Sequence, residues 1–438
     1  MGGGAQKKLR LPRPKLRRIE DVVGKLADKG SEGTAGNLSG VDGDLKTAAL
    51  EDMAEYAGEV VSAVERHRAG EGVHSWREGD LFTCMGWTRA EYPYYRDPER
   101  RQGRWEAFGV ERKMTPSALD AVARLAVALG SFKEARDTLA RLGLGKISES
   151  KLRSETLVLG KAALEAQKAP TWDKRAYSKA QRKVPKGGRK VERTLVILVD
   201  GTGVPATHAD TKGRKGKNGG EAGTRQLRIV VVFEYEALDE DGLPIPLPGS
   251  FSYSVLLCNA LELKGFVKKL GEARGARTAP RVECGADGEE CLETILTEAF
   301  PNAVFFNDFM HAASYLSTAC HALGIANPDK EFKTCRAIMK RHGAGSAVDR
   351  LKRLCAKELK ASPEAAAALE YLDKRRDHMN YGWLRKNGYY IATSHVEAAA
   401  RLLVARRCKQ AGMHWRVENA ACICALLAHY RSSLPPAA

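Results

Sequence analysis

No run of apolar residues in this 438-residue chain reaches the roughly 18 that a membrane-spanning helix needs. No apolar segment follows the basic N-terminus, so a secretory leader is not expected. The Met1-Gly2 start invites N-myristoylation, but Gln6 stands where Ser or Thr is wanted. The ten cysteines contain no Cys-x-x-Cys pair, and neither Cys422 with Cys424 nor Cys284 with Cys291 has the spacing of a structural zinc site. A disulfide framework is equally unexpected in a chain of this length. No internal repeat is found. These absences point to a cytoplasmic protein with reduced thiols and no membrane association.

Positive charge is abundant. Seventy-one Lys and Arg against 54 Asp and Glu leave a formal charge of +17, which favours a polyanionic partner, and nucleic acid over an anionic membrane surface. With 43% hydrophobic residues the chain can bury a sizeable core, spread over two or three domains.

Residues 1–45 carry Lys7, Lys8, Arg10, Arg13, Lys15, Arg17 and Arg18 around two prolines and read as a disordered basic arm. Residues 46–170 are patterned as helices, with an aromatic, irregular middle from Trp76 to Trp105. Near 131–166, Ser131 and Glu134 form a capping-box signature, Gly143 and Gly145 break the helix, and Ser148 can cap the next. That pattern fits a helix-turn-helix presenting Lys151, Arg153 and Lys161 to a DNA groove, and fits an ordinary helical hairpin as well. A basic linker follows over 171–192. Behind it, strands are predicted at Thr194–Val199, Gln226–Tyr235, Phe251–Cys258, Arg281–Gly285 and Ala303–Phe306, with a helix at Leu261–Ala273. Three strands, a helix, a strand, a helix and a strand is the order of a ribonuclease-H-like fold. From Asp308 to Asp377 nearly everything is helical, and helices return at Ser394–Gln410 and Val417–His429.

Asp200 closes the first predicted strand in Asp200-Gly201-Thr202-Gly203, where the glycines leave room for a metal or a phosphate. Asp287 closes a later strand, and Glu397 opens a late helix. Each acid also has a plain local explanation, as a turn residue or within a capping box. Acids at two strand ends and one helix start nevertheless suit convergence on two Mg²⁺ ions, which prefer oxygen ligands and drive in-line phosphoryl transfer. Asp308 and His311 lie one helical turn apart at the next strand-to-helix junction, as accessory metal or DNA groups or as a cap with a half-buried histidine. Lys212, Arg214, Lys215 and Lys217 crowd a Gly-rich loop after Asp200, either to hold DNA or simply to be solvated.

The block Met379-Asn380-Tyr381, Arg385, Gly388, Val396-Glu397, Arg407, Lys409-Gln410, Gly412-Met413 and Trp415 resembles, in order and spacing, the closing block of the ISKra-type insertion-sequence transposases, distant relatives of the Mutator-like group. Asp200-Gly201-Thr202-Gly203-Val204-Pro205, Ala286-Asp287-Gly288 and Asn307-Asp308 with His311 resemble earlier motifs of the family, so that the resemblance runs from about residue 115 to 430. It implies that Asp200, Asp287 and Glu397 are an Asp-Asp-Glu triad holding Mg²⁺ or Mn²⁺, in two ions, and that Arg407 and Lys409 contact DNA. It also implies an α/β multidomain protein. The helical DNA-binding region precedes a ribonuclease-H-like mixed-sheet core (193–312), an all-helical insertion (313–380) and a completing segment (381–438).

The expected activity is cleavage and strand transfer at the ends of a bacterial insertion sequence. Its partners would be double-stranded DNA, as terminal inverted repeats and target, in a homodimer or larger assembly near the nucleoid. Two other readings stay open: a domesticated, inactive DNA-binding relative, for which Ala392-Thr393-Ser394 in place of the family's Gly-Ser-Gly speaks, and a nuclease that does not join.

Overall fold

The computed structural model describes residues 11–28, 38–69, 72–97, 105, 108, 110, 112–169, 184, 186–216 and 219–433. The chain divides into two units, Met1–Thr156 and Leu157–Ala438. No helix among the described residues is long and apolar enough to cross a membrane.

In the first unit, α1 (Arg17–Asp28) and α2 (Leu38–Arg68) occupy much of the stretch expected to be disordered. The cause is local. The buried Asp52 carboxylate accepts from the backbone N–H of Arg18 (3.0 Å) and Ile19 (3.1 Å) and from Arg18 Nη1 (2.9 Å), tying the start of α1 to α2. Burial would raise this carboxyl, but these bonds hold it below its ordinary range. Lys7, Lys8 and Arg10 lie outside the described residues.

The aromatic stretch after α2, expected to be an irregular part of a helical region, is a hairpin: β1 (Ser75–Thr83) pairs antiparallel with β2 (Gly86–Tyr94). Leu81, Ala90 and Tyr92 share its inner face and pack with Val61 and Trp105, a period of two that the scattered aromatics obscure in the sequence. Three helices follow, α3 (Pro116–Ala128), α4 (Phe132–Arg141) and α5 (Glu149–Lys168), and α5 runs across the boundary between the units. Ser131 Oγ accepts from Glu134 N (3.0 Å), while the Glu134 carboxylate accepts from Gly130 N (3.1 Å), one residue short of a reciprocal box. Ser148 Oγ accepts from Lys151 N (3.2 Å) at the start of α5. The helix, turn, helix order is present, with Gly143 and Gly145 at φ +76° and +92° in the connection.

The second unit is built on a mixed sheet of six strands: β3 (Arg189–Pro205), β4 (Thr224–Leu238), β5 (Pro244–Pro246), β6 (Ser252–Leu256), β7 (Arg281–Ala286) and β8 (Val304–Asn307). β3 starts inside the expected linker, its polar first residues pairing with the far end of β4; residues 171–183 lie outside the described ones. β3 and β4 are antiparallel, β6 and β5 pair antiparallel along the other edge of β4, and β7 and β8 are parallel to β3 on its opposite side. Beyond β6, Gln167 Oε1 on α5 accepts from Val255 N at 3.0 Å. The parallel strands need crossover helices, supplied by α6 (Ala260–Ala273) and α7 (Glu290–Ala299).

Alternation along the strands then decides what faces what. Leu195, Ile197 and Val199 of β3 and Cys284 and Ala286 of β7 pack with Leu263, Val267, Leu270, Leu292 and Leu296 of α6 and α7. Val196, Leu198 and Asp200, with Glu283, Gly285 and Asp287, therefore belong to the opposite face. That face is covered by later helices. α8 (Phe309–Ala322), α9 (Pro328–His342), α10 (Ala344–Leu354), α11 (Ala356–Ala361) and α12 (Pro363–Lys374) form a helical run, with α8 straddling residue 313, where the insertion was expected to begin. α13 (Tyr381–Lys386) follows. α14 (Ser394–Ala399) continues without a break as a π-helical stretch, Ala400–Ala405, and a last turn, Arg406–Cys408; α15 (Val417–Arg431) closes the described chain. The Tyr235 hydroxyl donates to Gly388 O (2.9 Å), and the Trp415 backbone clasps β3 through Pro205 O (3.0 Å) and Thr207 N (2.8 Å). These bonds hold the C-terminal block against the sheet.

Candidate functional site

Asp200 is not at a strand end. β3 continues to Pro205 against β4, but its pairing with β7 stops at Leu198 and Gly285. Beyond that point the β7 side of the strand is open, and Asp200 stands there. Leu198 is paired with Gly285, so Asp200 lies two residues further along β3 and Asp287 two residues further along the chain, just past the end of β7. Neighbouring strands lie about 4.8 Å apart, so the register brings β3 and the end of β7, just before Asp287, close together on that face. Glu397 reaches the same face from the first turn of α14.

The electrostatics agree with this placement. The Asp200 carboxyl is pushed from its ordinary 3.8 up to about 6, first by burial and further by the negative charges of Asp287 and Glu397. The Gly201 N–H, donating at 2.6 Å, and His311 act in the opposite direction. Asp200, Asp287, Glu397 and His311 thus form one charge group. Among the described residues, no three His, Cys, Asp or Glu side chains are arranged to hold a single metal ion.

The capping explanations fare differently from expectation. Asp287 Oδ1 accepts from Glu289 N (3.0 Å) and closes a turn, while α7 starts at Glu290 with Glu289 as its cap position. α14 starts at Ser394 without any side-chain cap, so Glu397 is not the reciprocal partner of a box. Each carboxylate keeps capacity for another ligand.

Two expected site residues have other work. Asp308 is 1% exposed; its Oδ1 accepts from His311 N (2.7 Å) and its Oδ2 from Thr393 N (2.6 Å) and Thr393 Oγ1 (3.0 Å). It caps α8 and fixes the turn before α14, the capping alternative of the two readings, and Thr393 of the Ala392-Thr393-Ser394 turn is one of its donors. Asp308→Ala is expected to cost about 2–4 kcal/mol, since a cap is lost and buried donors are left behind. Thermal unfolding checks this, and a variant as stable as wild type would contradict it. Arg407 is 2% exposed, with its guanidinium 5.3 Å from the centre of the Trp415 ring, and burial pulls its pKa down. It packs within the C-terminal block rather than on its surface.

The remaining cations are placed as follows. Lys409 Nζ donates to Thr202 Oγ1 at 2.5 Å, two residues along β3 from Asp200. Lys212, Arg214 and Lys215 are exposed on the loop between β3 and β4; Lys217 lies outside the described residues. In the first unit Arg153 is exposed, whereas Lys151 is engaged with Glu155 (2.5 Å) and with Arg112 O (2.9 Å).

Four features were not anticipated from the sequence. Arg228 and Glu289 form a two-bond ion pair (2.7 and 2.8 Å) beside Gly201, where a Cβ would meet Arg228 Nη1 at 2.7 Å. Thr202 anchors Lys409. Arg401 lies 3.7 Å from Glu397, at the i,i+4 spacing that could have revealed it. His378 is held by Glu293 at 2.7 Å.

The raised Asp200 pKa has a consequence for stability. A carboxyl raised above its unfolded value contributes stability that is complete below about pH 4 and is lost as pH rises through about 6. The loss is about 1–2 kcal/mol, because part of the group faces water. Asp200→Asn, measured without divalent metal, should therefore unfold about 2–5 °C above wild type at pH 8 and together with it near pH 4. Equal melting temperatures at pH 8 would show that the folded chain does not raise the Asp200 carboxyl.

No protein-family model matches the chain, and no curated protein matches it.

Proposed function

We propose that this chain is a metal-dependent DNA phosphoryl-transfer enzyme of the Asp-Asp-Glu transposase class, with Asp200, Asp287 and Glu397 as its acids. The observation that carries the reading is the placement of three carboxylates on β3, at the end of the adjacent parallel strand β7 and in the first turn of a covering helix, with the Asp200 carboxyl raised first by burial and then by the other two acids. Counting β3, β4, β6, β7 and β8 as strands one to five, the sheet order is 3-2-1-4-5 with the first three antiparallel and the last two parallel. This supports a ribonuclease-H-like core.

The donor set fits a hard divalent cation: oxygen ligands of one charge, mutually repelling and therefore stabilised by positive charge. Asp200, Asp287 and Glu397 would hold it, and when bound it would polarise the reacting phosphate and favour both the attacking and the leaving oxygen. Lys409, aligned by Thr202, is placed to bind a phosphate beside Asp200. The Arg228–Glu289 pair keeps a fixed arginine from neutralising the acids. Lys212, Arg214 and Lys215 supply non-specific affinity for the DNA backbone, and the first unit, with Arg153, selects the ends. Joining two ends requires at least a dimer on DNA.

The reading is tested by cleavage and strand transfer on labelled DNA carrying the element's own ends, with Mg²⁺ or Mn²⁺. A second reading, DNA binding without catalysis, is favoured by Ala392-Thr393-Ser394 standing where the resembled family has Gly-Ser-Gly. Tight end binding by wild type with no cutting under any of these conditions would select it.

A further inference from the structure

The exposed side of α8 carries Met310, His311, Ser314 and Tyr315, while Phe309, Ala312, Ala313 and Leu316 are buried. Met310 is 54% and Tyr315 37% exposed, an uneconomical place for two large apolar surfaces. Tyr315 is also fixed in place. Its ring stacks on that of Tyr371 with centroids 3.7 Å apart and an interplanar angle of 15°. The Tyr371 hydroxyl in turn donates to Asp287 O at 3.3 Å, and the Arg375 guanidinium lies 4.3 Å from its ring centre. Such an approach requires glycine at 288, where φ is +94° and a Cβ would lie 1.8 Å from the Tyr371 hydroxyl. Tyr315 is thus joined to the acid site twice: through Tyr371 to the backbone of Asp287, and along α8 to His311, one helical turn back, whose charge acts on Asp200. Beside it, exposed Arg336 approaches Met310 Sδ at 3.9 Å.

A rigid ring with an exposed surface, an apolar neighbour and an arginine together match the chemistry of an unpaired nucleotide, in which the base stacks and the phosphate meets a cation. We infer that Tyr315 is a stacking platform for an unpaired nucleobase of the DNA strand that enters the acid site. This deepens, and rests on, the reading of Asp200, Asp287 and Glu397 as a DNA phosphoryl-transfer site. Extruding one base there would present the neighbouring phosphate to the carboxylates without a bulky duplex in the way.

The test uses the full-length chain and two end-labelled strands of equal length and charge, oligothymidylate and its abasic counterpart. Fluorescence anisotropy gives the affinity for each. Wild type should prefer the base-bearing strand about tenfold, Tyr315→Phe should retain that preference, and Tyr315→Ala should lose it while binding the abasic strand unchanged. Equal affinity of wild type for both strands, or a preference that survives in Tyr315→Ala, overturns the platform. Cutting is scored separately with Mg²⁺ on duplex ends. A chain that shows the Tyr315-dependent preference but never cuts refutes the phosphoryl-transfer reading alone, and a chain that cuts without the preference refutes the platform alone.

Discussion

Asp200→Ala, Asp287→Ala and Glu397→Ala are each expected to lower metal-dependent cleavage and strand transfer by about a thousandfold or more while leaving affinity for DNA within about twofold. The magnitude follows from removing one anchor of a cation that supplies several kcal/mol to the transition state, at a tenfold rate change for each 1.36 kcal/mol. The three acids act as a unit, so double variants should be little worse than single ones. Their DNA affinity should hold because most of the cations proposed to meet phosphates, Lys212, Arg214, Lys215 and Arg153, are exposed and lie apart from the acids in the sequence. Labelled-end cleavage with Mg²⁺ and a parallel binding titration decide the matter. Activity persisting in Glu397→Ala would remove that residue from the site, and loss of binding in all three would turn a catalytic claim into a folding defect.

The largest expected effect on stability is at Gly382. This residue lies in α13, and a Cβ there would be 1.9 Å from Arg341 O, a backbone carbonyl in the last turn of α9. A side-chain tip could swing away, but a helical carbonyl cannot, so α13 and α9 would have to separate. Gly382→Ala should cost about 3 kcal/mol or more, against an expected gain of about 0.5–1 kcal/mol for Gly265→Ala, whose exposed helical position meets nothing within 4 Å. Thermal unfolding of the pair provides the check, and equal shifts would contradict the close packing. Activity should fall with stability, since the neighbouring Tyr381 hydroxyl donates to Asn307 O (3.1 Å), one residue before Asp308.

The strands of the second unit were legible because their apolar runs are long and bounded: Thr194–Val199 and Gln226–Tyr235 fall inside β3 and β4, and Arg281–Gly285 inside β7. The hairpin of the first unit was not, because its inner face contains Gly79, Ala90 and Tyr92 among exposed tryptophans, a weak alternation. α1 was missed because its order depends on Asp52, 34 residues from Arg18. Asp200, Asp287 and Glu397 could be picked out as acids at glycine-rich turns and a helix start, but their convergence depends on parallel register, which no local pattern encodes. The motif around Asp308 fits an accessory group and a helix cap alike, and Arg407 is expected at DNA only from the resemblance; both are buried, against Thr393 in one case and Trp415 in the other, which no local pattern foretells.

The π-helical stretch that follows Glu397 amounts to an ordinary helix carrying an extra residue. Loss of one codon between Ala400 and Ala405 would let a plain α-helix run through. It would also rotate everything before it by about 100° relative to Arg407 and Cys408, and the buried Val396 and Ala399 would have to repack. Glu397 would swing off the face it shares with Asp200, so among descendants of this sequence such deletions should mark lineages in which the acid site is no longer under selection.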